Sequence, residues 1–167
     1  MLSDLAERAR AAVADIRRAV HALRPPALDE LGLVPALREV AAQYRHKGLS
    51  IDLDAPHNLP SLPAAVEVAC YRITQEALTN VVRHAGARSC SVLLALDEAR
   101  TVRVEITDDG RGLSSERKGI GVGLTSMRER AEELGGTFTI DSLHGSGTRV
   151  SARLPCQLPK NAHPKGE

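Results

Sequence analysis

The chain has few aromatic residues and no excess of charge of either sign. Its 167 residues include no tryptophan, one phenylalanine and two tyrosines, so aromatics make up 2%. Base-stacking surfaces and aromatic cages depend on such side chains, and the composition argues against both. Lysine and arginine number 22 and aspartate and glutamate 21, which gives a net charge of +1. A general nucleic-acid or membrane-surface binder would carry a basic excess, so this balance argues against that class.

Cysteine spacing and the lack of long apolar runs bound the cellular environment. Cys70, Cys90 and Cys156 lie far apart and form no CxxC pair or Cys/His cluster, so no zinc site is expected. Residues 1–20 are charged throughout and lack the apolar core of a signal peptide. No run approaches the roughly 20 apolar residues of a membrane span. We therefore expect reduced thiols in a soluble, cytoplasmic chain, which can still be a piece of a larger protein.

Apolar spacing predicts four helices. One helix is expected to begin after a cap at Asp29 and to end at about Arg45. Two more are expected over 64–85 and over 124–134. The first helix, over 2–24, carries an a/d seam made of Leu2, Leu5, Ala9, Ala12, Ile16, Ala19 and Leu23. This seam fits either packing on the chain's own domain or a bundle or dimer helix.

Alternating apolar and polar residues predict the strands. The segments with this pattern are 49–54, 90–96, 101–107, 137–142 and 147–154. Short, turn-like connections join the last four strands in two pairs, and separate helices lie between the strands. The expected fold class is therefore α+β, a two-layer sandwich with a mixed, mostly antiparallel sheet and helices on one face.

The long predicted helix carries polar residues on its apolar face. At about 100° per residue from Ile73, Asn80 and His84 fall within the buried stripe and Glu76 lies at its edge. Buried polar groups must be hydrogen-bonded, so this face holds either satisfied core residues or a polar pocket. An asparagine oxygen suits a hard cation, and Mg²⁺ uses one or two protein oxygens together with phosphates and waters.

Glycines concentrate in the second half of the chain. Nine of the 13 glycines lie between 110 and 147. Asp108, Gly110 and Gly112 form a DxGxG motif directly after a strand. Further glycines precede a helix, whose N-terminus favours an anion, but neither a Walker loop nor a dinucleotide fingerprint is present. Each feature alone also fits a flexible loop or a plain turn, as does GxGT at 145–148.

In combination, the motifs resemble the catalytic ATP-binding domain of two-component sensor histidine kinases, which has the GHKL, or Bergerat, fold. The resemblance covers about residues 13–155. The segment YRITQEALTNVVRHAGA (71–87) looks like the N box of that family. Three further segments look like its first, second and third glycine boxes, namely DDGRG (108–112), GVGLTSMRERAEELGG (121–136) and GSGTRV (145–150). RRAVHALRPPALDELGLVPALREV (17–40) is similar to the junction of the subgroup whose kinases pair with NarL-class response regulators.

The resemblance implies a role for each motif residue. Asn80 would bind magnesium, and Glu76, the N-box acid, would take the catalytic position that orders magnesium or water. Asp108 would accept a hydrogen bond from the adenine amino group and so select ATP over GTP. His84 would be structural, and residues 111–120 would form a lid over the nucleotide. The remaining matches are Gly110 and Gly112 at the base, Gly121, Gly123 and Leu124 at the phosphates, and Thr148 beside the adenine.

The chain departs from this family in one respect, because no phosphoacceptor histidine is recognisable. None of its six histidines is followed by an acidic residue. We therefore interpret 1–26 as a remnant of the second helix of the dimerisation and phosphotransfer hairpin, 27–155 as the ATP-binding domain and 156–167 as a disordered tail.

The resemblance implies that this domain supplies Mg-ATP to a histidine on a missing upstream helix, from which the phosphoryl group passes to a response-regulator aspartate. A homodimer through helix 2–24 and membrane attachment of the parent kinase stay open, and no nucleic-acid partner is expected. Two alternatives remain: an anti-sigma-factor-type serine kinase of the same fold, and a non-catalytic ATP-binding interaction module. A gyrase- or chaperone-type ATPase would need a transducer that this chain is too short to hold.

Overall fold

The computed structural model describes residues 24–113, 121–143 and 147–156. The helix predicted over 2–24 lies outside the described residues except for Arg24, as does the predicted tail except for Cys156. Most of the predicted lid and the start of the third glycine box also lie outside them.

The described ranges contain four α-helices and five strands. In chain order these are α1 (Pro26–Leu31), α2 (Leu33–Arg45), β1 (Ser50–Asp54), α3 (Ala64–Asn80), β2 (Ser89–Leu96), β3 (Thr101–Asp108), α4 (Val122–Glu133), β4 (Thr137–Ser142) and β5 (Thr148–Pro155). A π-helical turn, Val81–Ala85, continues α3. None of the helices described is long and apolar enough to cross a bilayer.

The five strands form one mixed sheet in the order β1-β2-β3-β5-β4. β1 pairs parallel with β2, and the other neighbours pair antiparallel. In one register row, Val92, Ile106 and Val150 are buried under the helices, whereas the next row exposes Ser91 and Arg149 on the opposite face. Alternation therefore gives the sheet one apolar and one polar face. The predicted α+β sandwich with helices on one face is confirmed.

The core lies between the apolar face of the sheet and the helices. Leu37 of α2, Ile73 and Leu78 of α3 and Met127 of α4 are all at most 1% exposed. Burying a side chain of this size stabilises a fold by about 1.5–3 kcal/mol relative to leaving it in water. The core thereby holds α3 and α4 against the sheet and fixes the ends of these helices in space.

The single helix predicted from Asp29 to Arg45 is wrong, because Gly32 divides it into α1 and α2. Gly32 has a φ of +80°, which side-chain-bearing residues rarely adopt. Its N–H donates to the Leu28 carbonyl at 3.1 Å and its carbonyl accepts from the Ala36 N–H at 3.1 Å, so it ends one helix and begins the next. Asp29 lies exposed within α1 instead of capping a helix.

The predicted burial of His84 is also wrong. The last turn of the predicted helix is the π-turn Val81–Ala85, which closes i→i+5 bonds instead of i→i+4. The wider turn changes the direction of the side chains that follow, and His84 is exposed. A uniform periodicity cannot anticipate this change.

The helix predicted over 124–134 begins two residues earlier, at Val122. Gly123 and Leu124 therefore lie inside its first turn. At the other end, the Gly136 N–H donates to the Ala131 carbonyl at 2.9 Å, so the predicted glycine cap is confirmed.

Candidate functional site

Asp108 ends β3 and turns a buried carboxylate toward the helical side of the sheet. Its exposed fraction is 6%. The Gly110 N–H donates to its Oδ1 at 2.8 Å, and the main-chain N–H of Thr148 also binds the carboxylate. Burial raises the pKa of Asp108, whereas these two N–H groups act against that rise. A carboxylate held in this way is suited to accept a hydrogen bond from an amino group of a ligand.

Cys90 lies directly opposite Asp108 in the β2–β3 pairing. Burial raises the pKa of the Cys90 thiol to about 12, and the nearby charge of Asp108 adds to the effect. The thiol is therefore neutral near pH 7 and places no second negative charge beside the carboxylate.

The first and third glycine motifs pack backbone to backbone around Asp108. Gly147 has a φ of +103°, and a Cβ there would overlap the Asp108 main-chain oxygen. A Cβ on Gly112 would lie 2.6 Å from the Ser142 Oγ and 3.2 Å from the Gly147 oxygen. Contacts this close exclude larger residues. The structure thus brings together four of the predicted site residues, namely Asp108, Gly110, Gly112 and Thr148.

A second group forms where α3 meets the first turn of α4. The half-buried Glu76 contacts Gly123, where a Cβ would overlap the Glu76 carboxylate. Leu124 is half-buried in the same turn, whereas Gly121 is exposed and a Cβ there would meet nothing within 4 Å. The helix N-terminus favours negative charge, so this corner is suited to a carboxylate and to phosphate groups.

Asn80 is half-buried at the end of α3. It follows Glu76 by four residues and therefore lies one turn further along the same side of the helix. An amide oxygen and a carboxylate are ligands that Mg²⁺ accepts, and the ion completes its shell with water and phosphate oxygens. The residues present thus fit a magnesium ion carried with a nucleotide.

Asp109 and Arg111 join the site to the beginning of β2 and to the π-turn that continues α3, which the sequence did not indicate. Asp109 accepts hydrogen bonds from Arg88 and Ser89, and the Arg111 Nε donates to the His84 carbonyl at 2.7 Å. In the sequence, only the charges on either side of Gly110 could have pointed to these contacts. Charged residues are common in exposed loops, so the charges alone do not predict them.

The fold and this site define an ATP-binding domain of the Bergerat class. Residues 65–158 match the family of histidine kinase-, DNA gyrase B-, and HSP90-like ATPases, and the chain belongs to that family. The sensor histidine kinase MctS of Rhizobium johnstonii is 37% identical over 149 residues, which cover 86% of this chain and 32% of MctS. The histidine-protein kinase/phosphatase UhpB of Salmonella typhimurium is 39% identical over 142 residues, 84% of this chain and 28% of UhpB.

Solved structures show the same fold. The histidine kinase domain of the Erythrobacter litoralis EL346 blue-light activated kinase superposes with a TM-score of 0.63 at 21% identity. That match covers 72% of this chain and 59% of the other. The chain is therefore an ATP-binding catalytic domain of the sensor-histidine-kinase type, and it spans about a third of the length of the curated relatives it matches.

Proposed function

We propose that this domain supplies Mg-ATP for phosphorylation of a histidine on a helix outside this sequence. The phosphoryl group then passes to an aspartate of a NarL-class response regulator. The observation that carries the proposal is the buried Asp108 carboxylate, held by two main-chain donors between close-packed glycine motifs. In this scheme 1–26 belongs to the dimerisation hairpin, 27–155 is the ATP-binding domain, and the domain acts in the cytoplasm. A homodimer through the helix predicted over 2–24 and membrane attachment of the parent kinase stay open.

Each site residue has a defined part in this function. Asp108 accepts a hydrogen bond from the adenine amino group, whereas guanine presents an acceptor there and leaves the carboxylate unpaired. Thr148 supports that carboxylate through its main-chain N–H. The other adenine contacts come from the loop after β3, at Gly110 and Gly112, and the phosphate contacts come from the start of α4, at Gly121, Gly123 and Leu124.

Asn80 and Glu76 form the metal side of the proposed site. The Asn80 oxygen would hold Mg²⁺, and Glu76 would order the ion or a water molecule at the first turn of α4. When bound, the ion offsets the negative charge that develops on the transferred phosphoryl group. Glu76 would therefore act mainly by positioning the reacting groups.

Calorimetric titration of ATP and GTP, with and without Mg²⁺, tests the proposal. We expect the wild-type chain to bind ATP and not GTP, Asp108→Asn to abolish binding, and Asn80→Ala to remove the Mg²⁺ dependence. Failure of the wild type to bind either nucleotide would overturn the proposal. The isolated chain is expected to form no phosphohistidine, and autophosphorylation well above background would contradict the assignment of the acceptor to an upstream helix.

A further inference from the structure

The loop that follows β3 makes hydrogen bonds to segment 84–89 through Asp109 and Arg111, the two neighbours of Gly110. On one side, the Asp109 Oδ1 accepts the Arg88 N–H at 2.8 Å and the Ser89 N–H at 2.9 Å. The Asp109 Oδ2 accepts the Ser89 hydroxyl at 2.6 Å. One exposed carboxylate thus satisfies two main-chain donors and a hydroxyl at the beginning of β2. Charge-assisted bonds of this kind are stronger than neutral ones.

On the other side of Gly110, Arg111 binds the end of the π-turn. Its Nε donates to the His84 carbonyl at 2.7 Å, and its main-chain N–H donates to the Ala85 carbonyl at 2.9 Å. The last carbonyls of a helix have no partner within the helix. Arg111 therefore caps the π-turn from a distant part of the sequence.

Gly110 lies between these two contacts and is pressed against the π-turn. A Cβ on Gly110 would lie 2.5 Å from the Ala85 oxygen and 2.6 Å from the Ala85 Cβ. The same residue donates its N–H to Asp108. A displacement of segment 84–89 would therefore be transmitted through Gly110 to the buried carboxylate.

We propose that Asp109 and Arg111 are positioning residues that clasp segment 84–89, and so hold the helix end bearing Asn80 at a fixed position relative to Asp108. The inference rests on the proposed function, because it couples the metal side of the site to its adenine side. The hydrogen bonds of Asp109 and Arg111 restrict the conformations of the loop after β3 and of segment 84–89 before a ligand binds. Nucleotide affinity gains from such preorganisation.

The test measures ATP affinity of the whole chain, with and without Mg²⁺, in variants that remove or keep the clasp bonds. Arg111→Met removes the Nε bond to the His84 carbonyl but keeps the main-chain bond to Ala85, and Asp109→Ala removes all three carboxylate bonds. We expect each variant to raise the Kd of Mg-ATP about 10-fold, as for loss of a charge-assisted hydrogen bond. The affinity gain that Mg²⁺ brings should also shrink, because Asn80 is no longer held in place.

Conservative variants and remote controls separate positioning from general damage. Arg111→Lys keeps a donor and Asp109→Asn keeps an acceptor, and both should restore the Kd to within about 3-fold of wild type. Arg38→Met on α2 and Asp54→Ala at the end of β1 make the same charge changes at exposed positions elsewhere and should leave the Kd unchanged. Thermal melts show which variants are folded at the temperature of titration.

The outcomes distinguish this inference from the proposed function. A wild-type chain that binds no ATP overturns the function itself. A wild type that binds ATP, with Arg111→Met and Asp109→Ala folded and unchanged in both Kd and Mg²⁺ dependence, overturns the clasp alone. If Asp109→Ala does not fold, Ser89→Ala removes only the hydroxyl bond and should raise the Kd about 3-fold; no change there overturns the clasp on that side.

Discussion

Asp108 and Asp109 are consecutive in sequence, yet the structure displaces the pKa of their carboxyl groups in opposite directions. Burial raises the pKa of Asp108. Asp109 is exposed, and the Ser89 hydroxyl together with the main-chain N–H groups of Ser89 and Arg88 lowers its pKa. The end of β3 thus places one carboxylate inward for a ligand and the next outward, where it binds the protein itself.

This relationship predicts the pH dependence of ATP binding and of stability. ATP affinity should fall as the pH drops through the raised pKa of Asp108, because the protonated group no longer accepts from adenine as a charged oxygen does. The raised pKa also means that ionised Asp108 opposes folding, so its unfavourable contribution grows as the pH rises from the unfolded to the folded pKa. Ionised Asp109 has the opposite effect and stabilises the fold, because its pKa is lower in the folded protein than in the unfolded chain. This stabilisation is fully present above the pKa of Asp109 in the unfolded chain, and it is lost as the pH falls through the pKa in the folded protein.

Urea unfolding and calorimetry of the wild type and Asp108→Asn, between about pH 4 and 8, test the predicted effects of Asp108 on stability and on ATP binding. We expect this variant to bind no ATP and to lose the decline in unfolding free energy that ionised Asp108 causes. Identical pH dependence of stability in the variant and the wild type would contradict the raised pKa of Asp108.

Gly123→Ala should weaken Mg-ATP binding more than it weakens the fold. The added methyl group would overlap the Glu76 carboxylate, which is the flexible end of a side chain and can move away. We expect the Kd of Mg-ATP to rise about 10-fold through displacement of Glu76. Gly121→Ala is the comparison, since a Cβ there meets nothing within 4 Å, and its effect should be clearly smaller. Equal effects of the two variants in calorimetry would show that contact with Glu76 is not the cause.

Gly147→Ala should destabilise the fold itself. Its φ of +103° is strained for alanine, and the Cβ would overlap main-chain atoms of Asp108 that cannot move independently. We expect a loss of at least about 2 kcal/mol in the free energy of unfolding. Gly135→Ala shares a positive φ of +71° but meets nothing within 4 Å, so it should cost only about 1 kcal/mol. Urea denaturation of both variants measures the difference, and equal losses would rule out the close contact as its source.

The ion pair between Arg24 and Glu67 should stabilise the junction before α1. The Arg24 Nη2 lies 2.6 Å from the Glu67 Oε2, and the two side chains are 28% and 18% exposed. A double-mutant cycle with Arg24→Met and Glu67→Gln should give a coupling energy of about 1 kcal/mol in urea unfolding.

A more exposed pair provides the control for that cycle. Arg153 and Asp97 approach to 3.2 Å with side chains 58% and 40% exposed, and their coupling should be close to zero because solvent screens them. Equal coupling in the two cycles would show that burial does not strengthen the junction pair.

Much of the candidate site could be predicted because its chemistry depends on residue types at element ends. Asp108 after a strand, Asn80 at the end of a helix, and glycines before α4 are local signals. The break at Gly32 could not be separated from a continuous helix, since a single glycine is tolerated within a helical pattern and its positive φ is not visible in the sequence. Likewise, the π-turn does not appear in an apolar pattern read at 3.6 residues per turn, so that pattern places the exposed His84 on the buried side of the helix.

The amino-acid pattern alone indicates the two faces of the sheet, the apolar sides of the helices and the order of the ligand-binding motifs. These features follow from periodicity and side-chain type, which are local properties of the chain. The contacts of Arg111 with the carbonyls of the π-turn and of Asp109 with the beginning of β2 arise only when the chain folds. The acceptors and donors there are mainly main-chain groups, which every residue carries, so no pattern of side chains marks where such contacts form.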